Sequence, residues 1–118
     1  MSSLKMEITA EARKWYLNGK LHREDGPAVE YANGEKCWYL NGKRHREDGP
    51  AIEYVNGDRK WYLNGNLHRE DGTAVEYANG DKYWYLNGKE LTEAEVDNYL
   101  FVKWATDGVN LFEHDKID

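Results

Sequence analysis

His, Arg, Glu and Asp stand side by side three times in this chain, at 22–25, 45–48 and 68–71, each string followed by Gly. An imidazole beside two carboxylates and a guanidinium is the raw material of general acid–base chemistry. Three histidines are also the beginning of a metal site. The spacing argues against both. Each string belongs to a unit that opens on Trp15, Trp38, Trp61 and Trp84, always as Trp-Tyr-Leu-Asn-Gly, so the period is 23 residues. A side chain needed once for a reaction has no reason to appear at every period, whereas one needed to build each unit does.

The same conclusion follows group by group. Neighbouring copies in a sheet lie two strands apart, which separates His22, His45 and His68 by about 10 Å or more. Ligand bonds to zinc are about 2 Å, so no two can share an ion. Ser occurs only at 2 and 3, and no Gly-rich phosphate loop opens a helix. Cys37 takes the place held by Lys14, Lys60 and Tyr83 in the other copies, and so reads as a surface substitution. In the last copy Leu91 takes the place of the histidine opposite Trp84, which reads as a packing position. Asp25-Gly26, Asp48-Gly49 and Asp71-Gly72 read as turns in which Gly takes a positive φ. Neither enzymatic activity nor a metal or cofactor is expected.

The elements that must position these residues come from the turn signals. Asn-Gly stands at 18–19, 33–34, 41–42, 56–57, 64–65, 79–80 and 87–88. That dipeptide favours two-residue type I′ hairpins, in which both central residues have φ > 0. With such a turn at Asn41-Gly42, Tyr39 faces Arg44 and Trp38 faces His45. With one at Asn33-Gly34, Tyr31 faces Lys36 and Glu30 faces Cys37. Period-two alternation then puts Val29, Tyr31, Trp38, Leu40 and His45 on one face and Ala28, Glu30, Tyr39 and Arg44 on the other. After Leu91 the pattern changes. Thr92-Glu93-Ala94-Glu95 is a capping box, and Val96, Tyr99, Leu100 and Trp104 follow at helical spacing. This predicts a helix over about 93–105 that ends near Gly108 and covers an open sheet edge, then an acidic tail.

The expected fold is mainly β: an elongated single-layer antiparallel solenoid of 23-residue repeats with a C-terminal capping helix. The array spans 1–91, with a degenerate start at 5–14, full copies at 15–37, 38–60 and 61–83, and a partial copy at 84–91. The helix and tail take 92–118. The 118 residues carry nine Tyr, five Trp and a net charge of −6. That charge disfavours non-specific nucleic-acid binding and anionic membranes. One Cys excludes an internal disulfide. Without a signal peptide or a long apolar run, the reading is a soluble, cytoplasmic protein.

The period, the Gly-punctuated hairpins and the string Trp-Tyr-Leu-Asn-Gly-Lys-x-His-Arg-Glu-Asp-Gly-Pro-Ala-Val-Glu-Tyr at 15–31 resemble the variant class of MORN repeats. The wording is similar to repeat proteins of large bacteriophages and giant viruses, where a Leu-Thr-Glu-x-Glu helix, here Leu91 to Glu95, often closes the array. The resemblance covers roughly 5–105. It implies a viral protein acting in a host cytoplasm, and it gives no activity. The leading expectation is a non-enzymatic interaction module that binds and inhibits a host or defence protein with a basic surface. The expected contact face carries Tyr16, Tyr39, Tyr62 and Tyr85 beside Glu30, Glu53 and Glu76. One rival is a self-associating scaffold joined through edge strands or through Val96, Tyr99, Leu100 and Trp104. The other is a sponge for a nucleotide-like ligand at a dimer groove.

Overall fold

The computed structural model describes residues 3–107; the acidic tail and the expected helix stop at Gly108 lie outside them. The strands are β1 (Leu4–Ile8), β2 (Ala12–Leu17), β3 (Lys20–Leu21), β4 (Val29–Tyr31), β5 (Lys36–Cys37), β6 (Tyr39–Leu40), β7 (Lys43–Arg44), β8 (Ile52–Glu53), β9 (Arg59–Lys60), β10 (Tyr62–Leu63), β11 (Asn66–Leu67), β12 (Val75–Glu76), β13 (Lys82–Leu86) and β14 (Lys89–Leu91), followed by α1 (Glu93–Asp107). Among the described residues, ten strands form one open antiparallel sheet in the order β1-β2-β4-β5-β8-β9-β12-β13-β14, with β3 also on β2. The fold is therefore mainly β with a C-terminal helix. Among the described residues no helix is long and apolar enough to cross a membrane.

The Asn-Gly turns are of two kinds. At Asn18, Asn41, Asn64 and Asn87, φ is 50–53° and the following Gly is also positive, as a type I′ hairpin requires. These turns set Tyr39 opposite Arg44, as expected. At 33–34, 56–57 and 79–80 only the Gly has a positive φ. There the Gly34 N–H donates to Tyr31 O at 3.0 Å and the Tyr31 N–H to Glu35 O at 2.9 Å. Three residues then form the loop, a turn closed by one left-handed glycine. Glu30 consequently faces Lys36 and Val29 faces Cys37, not the pairs the two-residue reading gives. The same shift sets Glu53 opposite Arg59 rather than Lys60.

A one-residue slip reverses the face of every side chain on a strand, so the expected face assignment is corrected. One face carries Ala12, Val29, Cys37 and Ile52 as a buried cluster, with Leu21, Tyr39, Tyr54 and Tyr62 packed on it. The other carries Trp, Arg and Glu. Cys37 is thus a core residue rather than a surface one. Burial, with Glu35 adding to it and Arg44 opposing, pushes its thiol up, so it stays protonated and unreactive.

At Trp38 and Trp61 the chain leaves the main sheet and enters separate two-stranded hairpins, β6-β7 and β10-β11, whereas β2 and β13 run unbroken through Trp15 and Trp84. Ala28, Ala51 and Ala74 are fully buried, and their carbonyls accept from the N–H of Trp15, Trp38 and Trp61. Each hairpin bonds to the next: the Gly42 N–H donates to Leu21 O (2.8 Å) and the Arg23 N–H to Tyr39 O (3.1 Å). The capping box on α1 is closed in both directions. Thr92 N–H donates to Glu95 Oε1 at 2.8 Å and Glu95 N–H to Thr92 Oγ1 at 3.1 Å. The helix packs on β13, and its Val96 is fully buried.

Candidate binding surface

The three His-Arg-Glu-Asp loops sit on the Trp face, and each is built the same way. The Arg46 guanidinium lies 4.0 Å over the Trp38 ring, a stacked cation–π contact. Its Nε donates to Asp48 Oδ1 (2.9 Å), and its Nη1 donates to Pro50 O (3.1 Å) and Glu53 Oε2 (3.1 Å). Arg23 over Trp15 and Arg69 over Trp61 keep the same 4.0 Å. A Cβ on Gly49 would stand 2.7 Å from Arg46 Cζ. Gly26, Gly49 and Gly72 are not in the left-handed region, which corrects the expected positive φ. They are glycines because the guanidinium occupies the space beside them.

The histidines work between copies. Asn41 N–H donates to His22 Nδ1, Asn64 N–H to His45 Nδ1 and Asn87 N–H to His68 Nδ1, each at 2.9 Å. Accepting at Nδ1 leaves the ring proton on Nε2, which faces Glu24, Glu47 and Glu70 at 3.3–3.4 Å. Each ring therefore holds the turn of the following copy. The same imidazole–carboxylate pair and inter-copy bond recur three times.

The sequence-expected contact residues are not together. Tyr16, Tyr39, Tyr62 and Tyr85 are half-buried, with Tyr39 and Tyr62 packed on the core cluster. Glu30, Glu53 and Glu76 lie on the opposite face under guanidinium groups. Glu30 pairs with Arg13 (2.7 Å) and Arg23 (3.4 Å), and Glu53 with Arg46 (3.1 Å). Glu76 pairs with Arg59 (2.9 Å) and Arg69 (3.2 Å) and accepts from Thr73 Oγ1 (2.7 Å). Burial alone would raise the Glu76 pKa; the Thr73 hydroxyl, the Arg59 and Arg69 guanidiniums and Lys82 outweigh it and hold it below the usual value. Each of these carboxylates is thus tied to at least one arginine. Of the residues set down for self-association, Val96 is buried within the chain, Tyr99 and Leu100 are half-buried and Trp104 is exposed.

What the sequence reading missed is the row of loop tips. The side chains of Glu24, Asp25, Glu47, Asp48 and Asp71 are 82–89% exposed. Beside them run three open grooves. The first, about 730 Å³, has Leu4, Met6, Trp15 and Leu17 against loop 22–25. The second, about 530 Å³, has Trp38 and Leu40 between loops 23–25 and 45–48. The third, about 650 Å³, has Trp61 and Leu63 between loops 46–50 and 68–71. Each thus joins an apolar floor of Trp and Leu, with an arginine stacked on the Trp, to a carboxylate rim. The signal was present in the strings themselves, where two acids accompany one arginine. Glu70 is the exception: Lys103 of α1 bonds it at 3.2 Å and its exposure falls to 35%. No family profile, curated protein or solved structure matches this chain.

Proposed function

We propose that this protein is a non-enzymatic interaction module, built as an open β-solenoid of 23-residue units, that holds a basic segment of a partner protein along its row of loop grooves. The observation that carries this is the combination repeated in each groove, an apolar Trp/Leu floor beside exposed carboxylates. Lys and Arg side chains suit such a site, laying an aliphatic stem on the floor and directing the charge to the rim. Complementary charge also speeds encounter and excludes acidic partners. The resemblance to viral MORN-variant proteins supports reading the partner as a host or defence protein, met in the host cytoplasm and inhibited by being bound.

Synthetic peptides alternating Lys or Arg with Leu, immobilised beside acidic controls, test the reading. The chain should bind the basic set alone, more weakly as salt rises, since exposed charges are screened over about 8 Å at physiological ionic strength. Glu24→Lys with Glu47→Lys should abolish that binding and leave the chain folded, its melt lowered only by the loss of two solvent-exposed imidazole–carboxylate contacts. Binding indifferent to salt and to both reversals would remove the grooves as the contact.

A further inference from the structure

The two ends of the main sheet differ. At one, β14 runs directly into α1. At the other, among the described residues, β1 pairs only with β2. All five β1 residues are exposed, and Leu4, Met6 and Ile8 are 78%, 49% and 64% exposed. The β1–β2 ladder fixes which backbone groups are free. Asn18 N–H donates to Ser3 O and Thr9 N–H to Ala12 O, both 2.9 Å. Residues 3, 5, 7 and 9 therefore bond towards β2, because hydrogen-bonded positions alternate along an antiparallel pair. The N–H and C=O groups of Leu4, Met6 and Ile8 point outward.

The origin of this edge is a register slip. Thr9 and Ala12 close a turn of two residues, Ala10 and Glu11, with the Ala12 N–H held on Thr9 Oγ1 at 3.2 Å. The later copies use three residues and a glycine at the corresponding turns. The slip turns Met6, the counterpart of buried Val29, onto the Trp face opposite Trp15. Lys5 and Glu7 go to the other side, where Tyr16 Oη donates to Glu7 Oε1 at 3.4 Å.

We propose that β1 is a self-recognition edge and that its occupant is β1 of a second copy of this chain, joined antiparallel about a two-fold axis through Met6. The strand reads the same in both directions by residue type. Met6 meets Met6 of the partner copy, Leu4 meets Ile8, and Lys5 meets Glu7 twice. The outward-pointing residues 4, 6 and 8 then face one another as hydrogen-bonded pairs, giving about six backbone bonds. Lys5 and Glu7 fall in the closer, non-bonded pairs, where cross-strand charges interact most. A slip of two residues in either direction would set Lys5 against Lys5 or Glu7 against Glu7, so charge fixes the register. The two sheets become one, and the apolar row Leu4, Met6 and Ile8 is lined by its own copy across the axis.

Sedimentation velocity on the full chain over a concentration series tests this. The wild type should pass from monomer to dimer. Met6→Pro removes one outward N–H and no β1–β2 bond, so it should stay monomeric with its tryptophan fluorescence melt retained. Lys5→Glu and Glu7→Lys alone should each raise the dissociation constant about tenfold, two like-charge contacts replacing two attractive ones. An equimolar mixture of those two variants should form a mixed dimer, because opposite charges then meet at both positions, and native mass spectrometry would identify it. A wild type that is monomeric at every concentration, or a dimer untouched by Met6→Pro and both reversals, would overturn the proposal.

Discussion

The copy at 38–60 and the partial copy at 84–91 begin with the same five residues, Trp-Tyr-Leu-Asn-Gly, and then part. The interior copy goes on to His45, whose ring accepts from Asn64 of the following turn. The last goes on to Leu91, which faces Trp84 in the same ladder position and has no later Asn-Gly turn to hold. The substitution of Leu for His is therefore no sign that the interior histidine is only packing. It separates residues that serve their own copy, Trp and Leu, from residues that serve the next one. The acids show the same contrast. Glu47 of an interior loop is open to solvent, whereas Glu70 of the last loop is bonded by α1.

The largest effect should come from the arginine that ties a loop to its own strand. Arg46→Ala removes three hydrogen bonds and the stack on Trp38 and should cost about 2–3 kcal/mol in urea unfolding. Gly49→Ala displaces the same guanidinium, so the double variant should lose little more than Arg46→Ala alone; full additivity would show that the two are not one contact.

Next in size is the link between copies. His22→Leu and His68→Leu each leave a turn N–H without its acceptor and should cost about 1–2 kcal/mol. His45→Leu should cost less, its Asn64 contact being exposed to water. Leu91→His should be near neutral, because nothing follows it in the array. Equal losses at 68 and 91 would end the distinction drawn between them.

The two kinds of Asn-Gly turn give smaller differences. Asn41→Ala, at a φ of 51°, should cost about 1 kcal/mol through left-handed strain. Asn33→Ala should cost about half that, losing only the side-chain bond to the Glu35 N–H at 3.0 Å.

The smallest effect concerns acid. Copy 61–83 has Thr73 where the others have Pro27 and Pro50, and its hydroxyl helps to keep Glu76 ionised. A carboxyl whose folded pKa is depressed adds stability that is complete above its unfolded value, about 4.3, and is lost as pH falls through the folded one. Thr73→Pro should move that loss to higher pH, shown by melts between pH 3 and 5, with a change near 0.5 kcal/mol or less at pH 7.

Much of the fold was legible because it is local. The four turns with Asn in the left-handed region, the Tyr39–Arg44 register and the capping box at Thr92 each depend on neighbours in sequence. The turns at 33, 56 and 79 carry the same dipeptide and differ only in its flanks, Ala or Val before and Glu or Asp after where the others have Leu before and Lys or Asn after, so the dipeptide rule alone does not separate two residues from three. That one residue decided which face held Glu30 and Tyr39, and with it the expected contact surface. Gly49 misled for a different reason: its neighbour is the tip of a side chain three residues back, not a backbone angle. Cys37 looked like a surface position because Lys14 and Lys60 share it, and long side chains can reach out of a place where a short one is buried.

The histidine-to-turn bond has a consequence for how such a chain changes length. Copies 38–60 and 61–83 each present an acceptor forwards and receive one from behind, so a duplicated 23-residue segment inserted after Lys60 would find both partners waiting. Growth or loss of whole copies needs no compensating change elsewhere, while the terminal Leu91 and α1 travel unaltered at the end. Length is then a variable that recombination can adjust in steps of one groove.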